Sequence, residues 1–152
     1  KKIRGRKRHL LVGTLGLLLV IVITSAGLDD GAAAPQLLER ITPHDFPRLS
    51  TIFADMKYHN HDLNAWMAEH RAGWRIEVKA RPEGTQGFTP LAKRWVIERT
   101  NAWNGRYRRN SKDYERSIES STAMIQISNI HLMLNRLAPC GRPEFHYRKE
   151  AA

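Results

Sequence analysis

The chain has 152 residues, of which 41% are hydrophobic, and carries a formal net charge of +10 at pH 7. That apolar share excludes a disordered chain and the length allows one domain with a sizeable core, while the basicity favours a polyanionic partner such as nucleic acid or an anionic membrane surface. The one cysteine, Cys140, excludes an intrachain disulfide and a cysteine-built zinc site, and fits a reducing, cytoplasmic setting.

Six of the 25 basic residues (Lys1, Lys2, Arg4, Arg6, Lys7, Arg8) lie in the first eight positions, and the remainder still outnumber the 15 acids, so a charged tail alone does not account for the basicity. The chain opens Lys-Lys without an initiator methionine, as a fragment or processed product would. KKIRGRKRH, the apolar run Leu10 to Ile23 and the small residues Thr24 to Gly27 imitate a secretory signal. Against that reading, Gly13-Thr14-Leu15-Gly16 breaks the run with a turn sequence, and Val20 to Ile23 are β-branched. The pattern predicts a hairpin, Arg8 to Val12 and Leu17 to Ser25.

Gly31 to Ile41 reads as a short helix with Pro35 in its first turns and Thr42-Pro43 closing it. Leu49 to Ala54 reads as a strand ending at Asp55. A helix follows over about His61 to Arg71, with Asn60 as its N-cap and Gly73 as its stop. Trp74 to Lys79 alternates apolar and charged residues as a half-buried strand does. Arg81 to Pro90, holding two prolines beside Gly84 and Gly87, reads as a loop.

Two helices close the chain. The first, about Leu91 to Tyr107, has Val96, Thr100, Trp103 and Tyr107 on one stripe and Arg94, Glu98 and Asn101 on another. The second, about Ser121 to Leu137, presents Ala123, Ile127, Ile130, Leu134 and Leu137 as its expected core face. The order β-β-α-β-α-β-α-α predicts an α/β domain over residues 1–138 around one mixed sheet, with 139–152 as a polar tail.

Within the first of these helices, KRWVIERTNAWNGRYRR sets a single carboxylate, Glu98, among Lys93, Arg94, Arg99, Arg106, Arg108 and Arg109. An ordinary basic helix with an Arg94–Glu98 pair one turn apart would look like this. So would a site that holds a divalent metal through carboxylate oxygens and a phosphodiester through cations. Arg106, Arg108, Arg109 and Lys112 are suited to tracking phosphate, which gives affinity without sequence readout. Trp95, Trp103 and Tyr107 could stack on bases, although aromatics at helical spacing are more often core. His59-Asn60-His61-Asp62 has a metal-like spacing, but a helix start explains it more simply.

KKIRGRKRHLLV, IFADMKYHN, PLAKRWVIERTNAWNGRYRRNSKDYE and the last apolar helix together resemble the carboxy-terminal half of a DDE transposase of a bacterial insertion sequence, up to about Leu137. The resemblance implies a ribonuclease H-like fold and three acids holding two Mg²⁺ or Mn²⁺ ions for DNA cleavage and strand transfer. It also implies action as an oligomer on paired transposon ends and target DNA, at the nucleoid and without a membrane. The second family acid falls on Asp55 and the third on Glu98, with Arg94 one turn before it; Lys93, Arg94, Arg99, Arg106, Arg108, Arg109 and Lys112 become DNA contacts. The first acid would sit on a strand before residue 1, so this chain alone is expected to be inactive. In the resembled sheet, the strand that Asp29 and Asp30 would close lies three places from that of Asp55, roughly 14 Å away at about 4.8 Å per strand, which is too far to share a metal. Met56 and Lys57 stand where the family has small residues and are expected to crowd the site; Gly13 replaces the family's turn aspartate. A non-catalytic nucleic-acid-binding remnant and an exported protein with residues 1–26 as its signal are the alternative readings.

Overall fold

The computed structural model of the chain describes residues 5–78, 93 and 95–139. Its elements are β1 (Arg6–Val12), β2 (Leu18–Ser25), α1 (Asp30–Leu38), β3 (Thr51–Ala54), a 3-10 turn (Met56–Tyr58), α2 (His61–His70), β4 (Arg75–Val78), α3 (Trp95–Gly105), α4 (Arg108–Ser111) and α5 (Ile118–Leu137). The architecture is α/β, and every element expected from the sequence between Arg6 and Val78 forms within a few residues of its expected bounds. The loop expected at Arg81 to Pro90 and most of the tail lie outside the described residues.

The signal-like apolar run folds as the hairpin. β1 and β2 pair antiparallel from Arg6↔Ser25 to Val12↔Leu18, with a bulge between Leu11 and Val12, and among the described residues no helix is long and apolar enough to cross a membrane. The run is continuously apolar because β2 is covered on both faces. Val20 and Val22 pack into a core with Leu37, Leu38 and Ile41 from α1 and the residues after it, and with Leu63 and Met67 of α2. Ile21 and Ile23, on the opposite face, meet Ile125 of α5. The hairpin is therefore the middle layer between α1 and α2 on one side and α5 on the other.

One expectation is corrected here. The strands do not join in a single mixed sheet: β1–β2 form one antiparallel pair, and β3–β4 form a separate parallel pair with Thr51↔Arg75 through Ala54↔Val78.

The basic residues of β1 are also tied down. Arg6 donates to the backbone oxygens of Glu115, Arg116 and Ser117 at 2.7–3.1 Å and pairs with Asp113 at 3.1 Å. Arg8 donates to the Asn110 carbonyl at 2.8 Å. These contacts fasten the segment before α5 to β1, so these arginines belong to the fold and are not a loose tail.

The last helix is turned opposite to its expected face. Ile127, Ile130, Leu134 and Leu137 are 50–82% exposed, whereas Ser121, Ile125, Ser128 and Asn129 are buried. The inward amide nitrogens find partners, Asn129 Nδ2 donating to Asn104 Oδ1 at 2.9 Å and Asn110 Nδ2 to Ser128 Oγ at 2.8 Å, while the amide oxygens of Asn110 and Asn129 are buried without one. Each such bond offsets part of the desolvation penalty that binary patterning assumes for polar residues.

Candidate metal and nucleic-acid site

β3 delivers Asp55 to the end of a strand. Its backbone stays extended (φ −86°, ψ 178°), and its side chain caps the 3-10 turn by accepting from the Lys57 N–H at 3.0 Å. One such bond leaves a carboxylate most of its acceptor capacity, so a cap and a metal ligand can be the same residue. Met56 is 57% exposed, and Lys57 sends its ammonium to Asp30 at 3.2 Å. The crowding expected of these two residues is thus directed to solvent and to Asp30.

Asp30 is the centre of a charged cluster that strand spacing does not describe. It opens α1, next to the N-cap Asp29, whose Oδ2 accepts from the Gly31 N–H at 2.9 Å. Its carboxylate binds Lys7 Nζ at 3.0 Å and Lys57 Nζ at 3.2 Å, and lies 3.8 Å from His9 Nδ1. Burial works against its charge, but the hydrogen bonds from Lys7 and Lys57 outweigh burial and hold its pKa below the ordinary value. Lys57 in turn is held up, first by the hydrogen bond to Asp30 and then by the charges of Asp30, Asp55 and Asp29. Burial pushes the Tyr58 hydroxyl up to about 12, with the same three aspartates adding to the shift. The α1 acids therefore act on two of the residues that Asp55 acts on, Lys57 and Tyr58. Two lysines already occupy the Asp30 carboxylate.

His9 completes this cluster beneath the surface. It is 4% exposed, with Nε2 2.9 Å from Thr24 Oγ1. Burial lowers its pKa from 6.5, against the pull of Asp30 and with a further push down from Lys7. The unfolded chain, with an imidazole near 6.5, takes up the proton first as pH falls, so the stability that neutral His9 contributes is complete above that value and is lost below it. Asp30 adds a second loss as pH falls below 3.8 and through its depressed folded value. Thermal melts from pH 8 to pH 3 should show both steps, and His9→Gln should remove only the first. An unchanged step near pH 6 in that variant would mean another group causes it.

Glu98 lies in the first turn of α3, on its exposed side. Lys93, just upstream, places its Nζ 4.1 Å from the centre of the Phe53 ring in β3. This cation–π contact joins the start of the helix carrying Glu98 to the strand that ends at Asp55. Arg94 lies outside the described residues.

The other expected DNA contacts divide into two groups. Arg99 is clamped between Trp95 and Trp103, 4.2 and 4.8 Å from their ring centres, and Arg136 covers Trp103 at 4.4 Å. Arg109 pairs with Glu115 at 2.6 Å. Arg106, Arg108 and Lys112 are exposed around α4. A clamped guanidinium stiffens the helix, while an exposed one is placed to meet a phosphate. The aromatics of α3 are thus packed on cations and on each other's neighbours, with Trp95 left 44% exposed.

The His59 to Asp62 segment is a helix start: Asn60 Oδ1 accepts from the Asp62 N–H at 2.8 Å, and the side chains of His61 and Asp62 are almost fully exposed. Sequence reasoning missed the Lys7–Asp30–Lys57 network. The signal for it was Asp29-Asp30 at a helix start opposite an alternating basic strand, where one strand face must carry Lys7 and His9 together.

The family model of the transposase DDE domain matches residues 1–134, and the chain belongs to that family. A transposase assigned to insertion sequence element IS402 of Burkholderia cepacia is 27% identical, over 88% of this chain and 64% of its own length. The chain thus spans less than two thirds of that relative. No solved structure matches it.

Proposed function

We propose that this chain forms part of a ribonuclease H-like catalytic domain that cuts and joins DNA during transposition of a bacterial insertion sequence, with Asp55 and Glu98 as two of its metal-holding carboxylates. The observation that carries this reading is the placement of Asp55 at the end of β3 and of Glu98 in the first turn of α3, with Lys93 against Phe53 linking the two elements.

The donor chemistry fits a hard divalent cation such as Mg²⁺ or Mn²⁺, which takes carboxylate oxygens. When bound, such ions supply charge stabilisation at the attacking and leaving oxygens of an in-line phosphoryl displacement. The chain's own part is to orient Asp55 through its cap on the 3-10 turn, to present Glu98 in the first turn of α3, and to offer Arg106, Arg108 and Lys112 to the DNA backbone. Among the described residues no group of three acidic or imidazole ligands converges, so the pair needs a further carboxylate. The separate β1–β2 and β3–β4 pairs fit a strand lying between β1 and β3, and such a strand, carrying the first acid, is proposed to come from the part of the protein that the longer relative has in addition. The chain by itself then binds DNA without cutting it, and the complete protein works in the cytoplasm as an oligomer on transposon ends and target.

Metal-dependent nicking of labelled DNA by this chain and by a version extended upstream tests the reading. Cutting by the extended protein alone supports it. If neither cuts while both bind DNA with an affinity that falls steeply with salt, the catalytic reading fails and a basic nucleic-acid-binding remnant remains.

A further inference from the structure

α5 is amphipathic in the wrong sense for a helix that only packs on its own domain. Its inward face is built of Ser121, Ile125, Ser128 and Asn129, and its outward face carries Ala123, Ile127, Ile130, Leu134 and Leu137. The outward residues are spaced 4-3-4-3, a mean of 3.5, which is the seam of a two-stranded coiled coil and narrower than the apolar stripe of an ordinary core helix. The positions flanking the seam are Met124, Gln126, His131 and Met133, and no Lys, Arg, Asp or Glu occurs from Ser120 to Asn135.

We infer that this seam pairs with the same seam of a second copy of the chain. Two arguments select that occupant. In a protein of net charge +10, most surfaces of two copies repel; a run of 16 residues without one charged side chain is a surface on which they do not. The five outward side chains expose roughly 500 Å² per copy, so a two-fold pair buries about 1,000 Å², the lower bound for a specific interface. A two-fold axis makes the contact isologous, so one stripe serves both copies. The two methionines beside the seam can adapt to the facing helix. This inference is independent of the metal site and needs no DNA.

Sedimentation equilibrium of the chain without DNA, across concentration, should show a reversible dimer. Ile130→Glu and Leu134→Glu should each return it to monomer with the melting temperature that the parent has at concentrations too low for the dimer, because both side chains are exposed in the single chain. Should either variant fold poorly, Ile130→Cys in a Cys140→Ser background provides an independent reading, with a disulfide-linked dimer expected under mild oxidation. Monomer at all concentrations up to about 100 µM, well above the micromolar range of weak complexes, would overturn the inference. So would a dimer that persists in both glutamate variants. The third overturning result is a dimer of this chain that disappears when the upstream sequence is added, which would show that the seam is covered within one copy.

Discussion

Asp55→Asn and Glu98→Gln, each introduced into the protein extended upstream, are expected to lower metal-dependent DNA cleavage by more than about 100-fold. That is a floor, since disturbing even the outer partners of metal ligands typically costs 10–100-fold. Both substitutions keep the shape and remove the charge. Asn at position 55 still caps the 3-10 turn, because its amide oxygen can accept from the Lys57 N–H as the carboxylate does at 3.0 Å. Glu98 lies on the exposed side of α3, where a Glu-to-Gln change alters helix propensity little. Folding should therefore survive, and the melting temperature should stay within a few degrees of the parent. DNA affinity measured without divalent metal should hold or rise slightly, since one negative charge beside the phosphate path has been removed. The combination of lost cleavage, retained fold and retained binding is what a metal-ligand role demands. Cleavage within a few-fold of the parent in either variant would remove that residue from the site. Loss of DNA binding alongside cleavage would point to a structural role instead.

Legibility in the sequence followed the reach of the interactions involved. The hairpin, the Asn60 cap and the position of Asp55 after a strand depend on neighbours a few residues apart, and turn and cap chemistry record them directly. The face of α5 depends on Asn104 and Asn110, which satisfy Asn129 and Ser128 from 25 and 18 residues away. No helical periodicity contains that information, so the apolar stripe was the natural expectation for the core and was the wrong one. The anchoring of Arg6 and Arg8 left no local trace because their partners, at positions 110–117, lie more than 100 residues downstream. The reach of Asp30 was hidden for a different reason. Strand counting measures distances between strands, but this acid sits past its strand, on a helix start that lies beside the turn after Asp55. The contact of Lys93 with Phe53 of β3 was likewise not readable, although Lys93 itself was, because cation–π contacts leave no spacing signature between separate segments.

Gly16→Val is expected to destabilise the fold by about 3 kcal/mol, the sum of two independent penalties. The first is conformational. Gly16 closes the hairpin turn at φ +78°, donating its N–H to the Gly13 carbonyl at 2.8 Å, and a β-branched residue in that left-handed region costs about 1–2 kcal/mol. The second is steric. A Cβ at this position would sit 3.0 Å from both Thr100 Oγ1 and the Trp103 ring, and 3.2 Å from an Arg99 guanidinium nitrogen. None of these can yield freely. Thr100 is fully buried and donates its hydroxyl to the Gly16 carbonyl at 2.8 Å, while Arg99 and Trp103 are stacked on one another under Arg136. Overpacking against such a neighbourhood costs about 1–3 kcal/mol. The only relief is for α3 to move away from the hairpin, and α3 carries Glu98. The substitution should therefore lower the urea midpoint and, in the extended protein, lower cleavage beyond what the unfolded fraction explains. Thr100→Val separates the terms: it keeps the shape, leaves the Gly16 carbonyl without its donor, and should cost about 1–2 kcal/mol. A Gly16→Val protein within about 1 kcal/mol of the parent, below the combined cost of strain and overpacking, would mean that the turn and α3 are not locked together, and the link from hairpin to Glu98 would have to be given up.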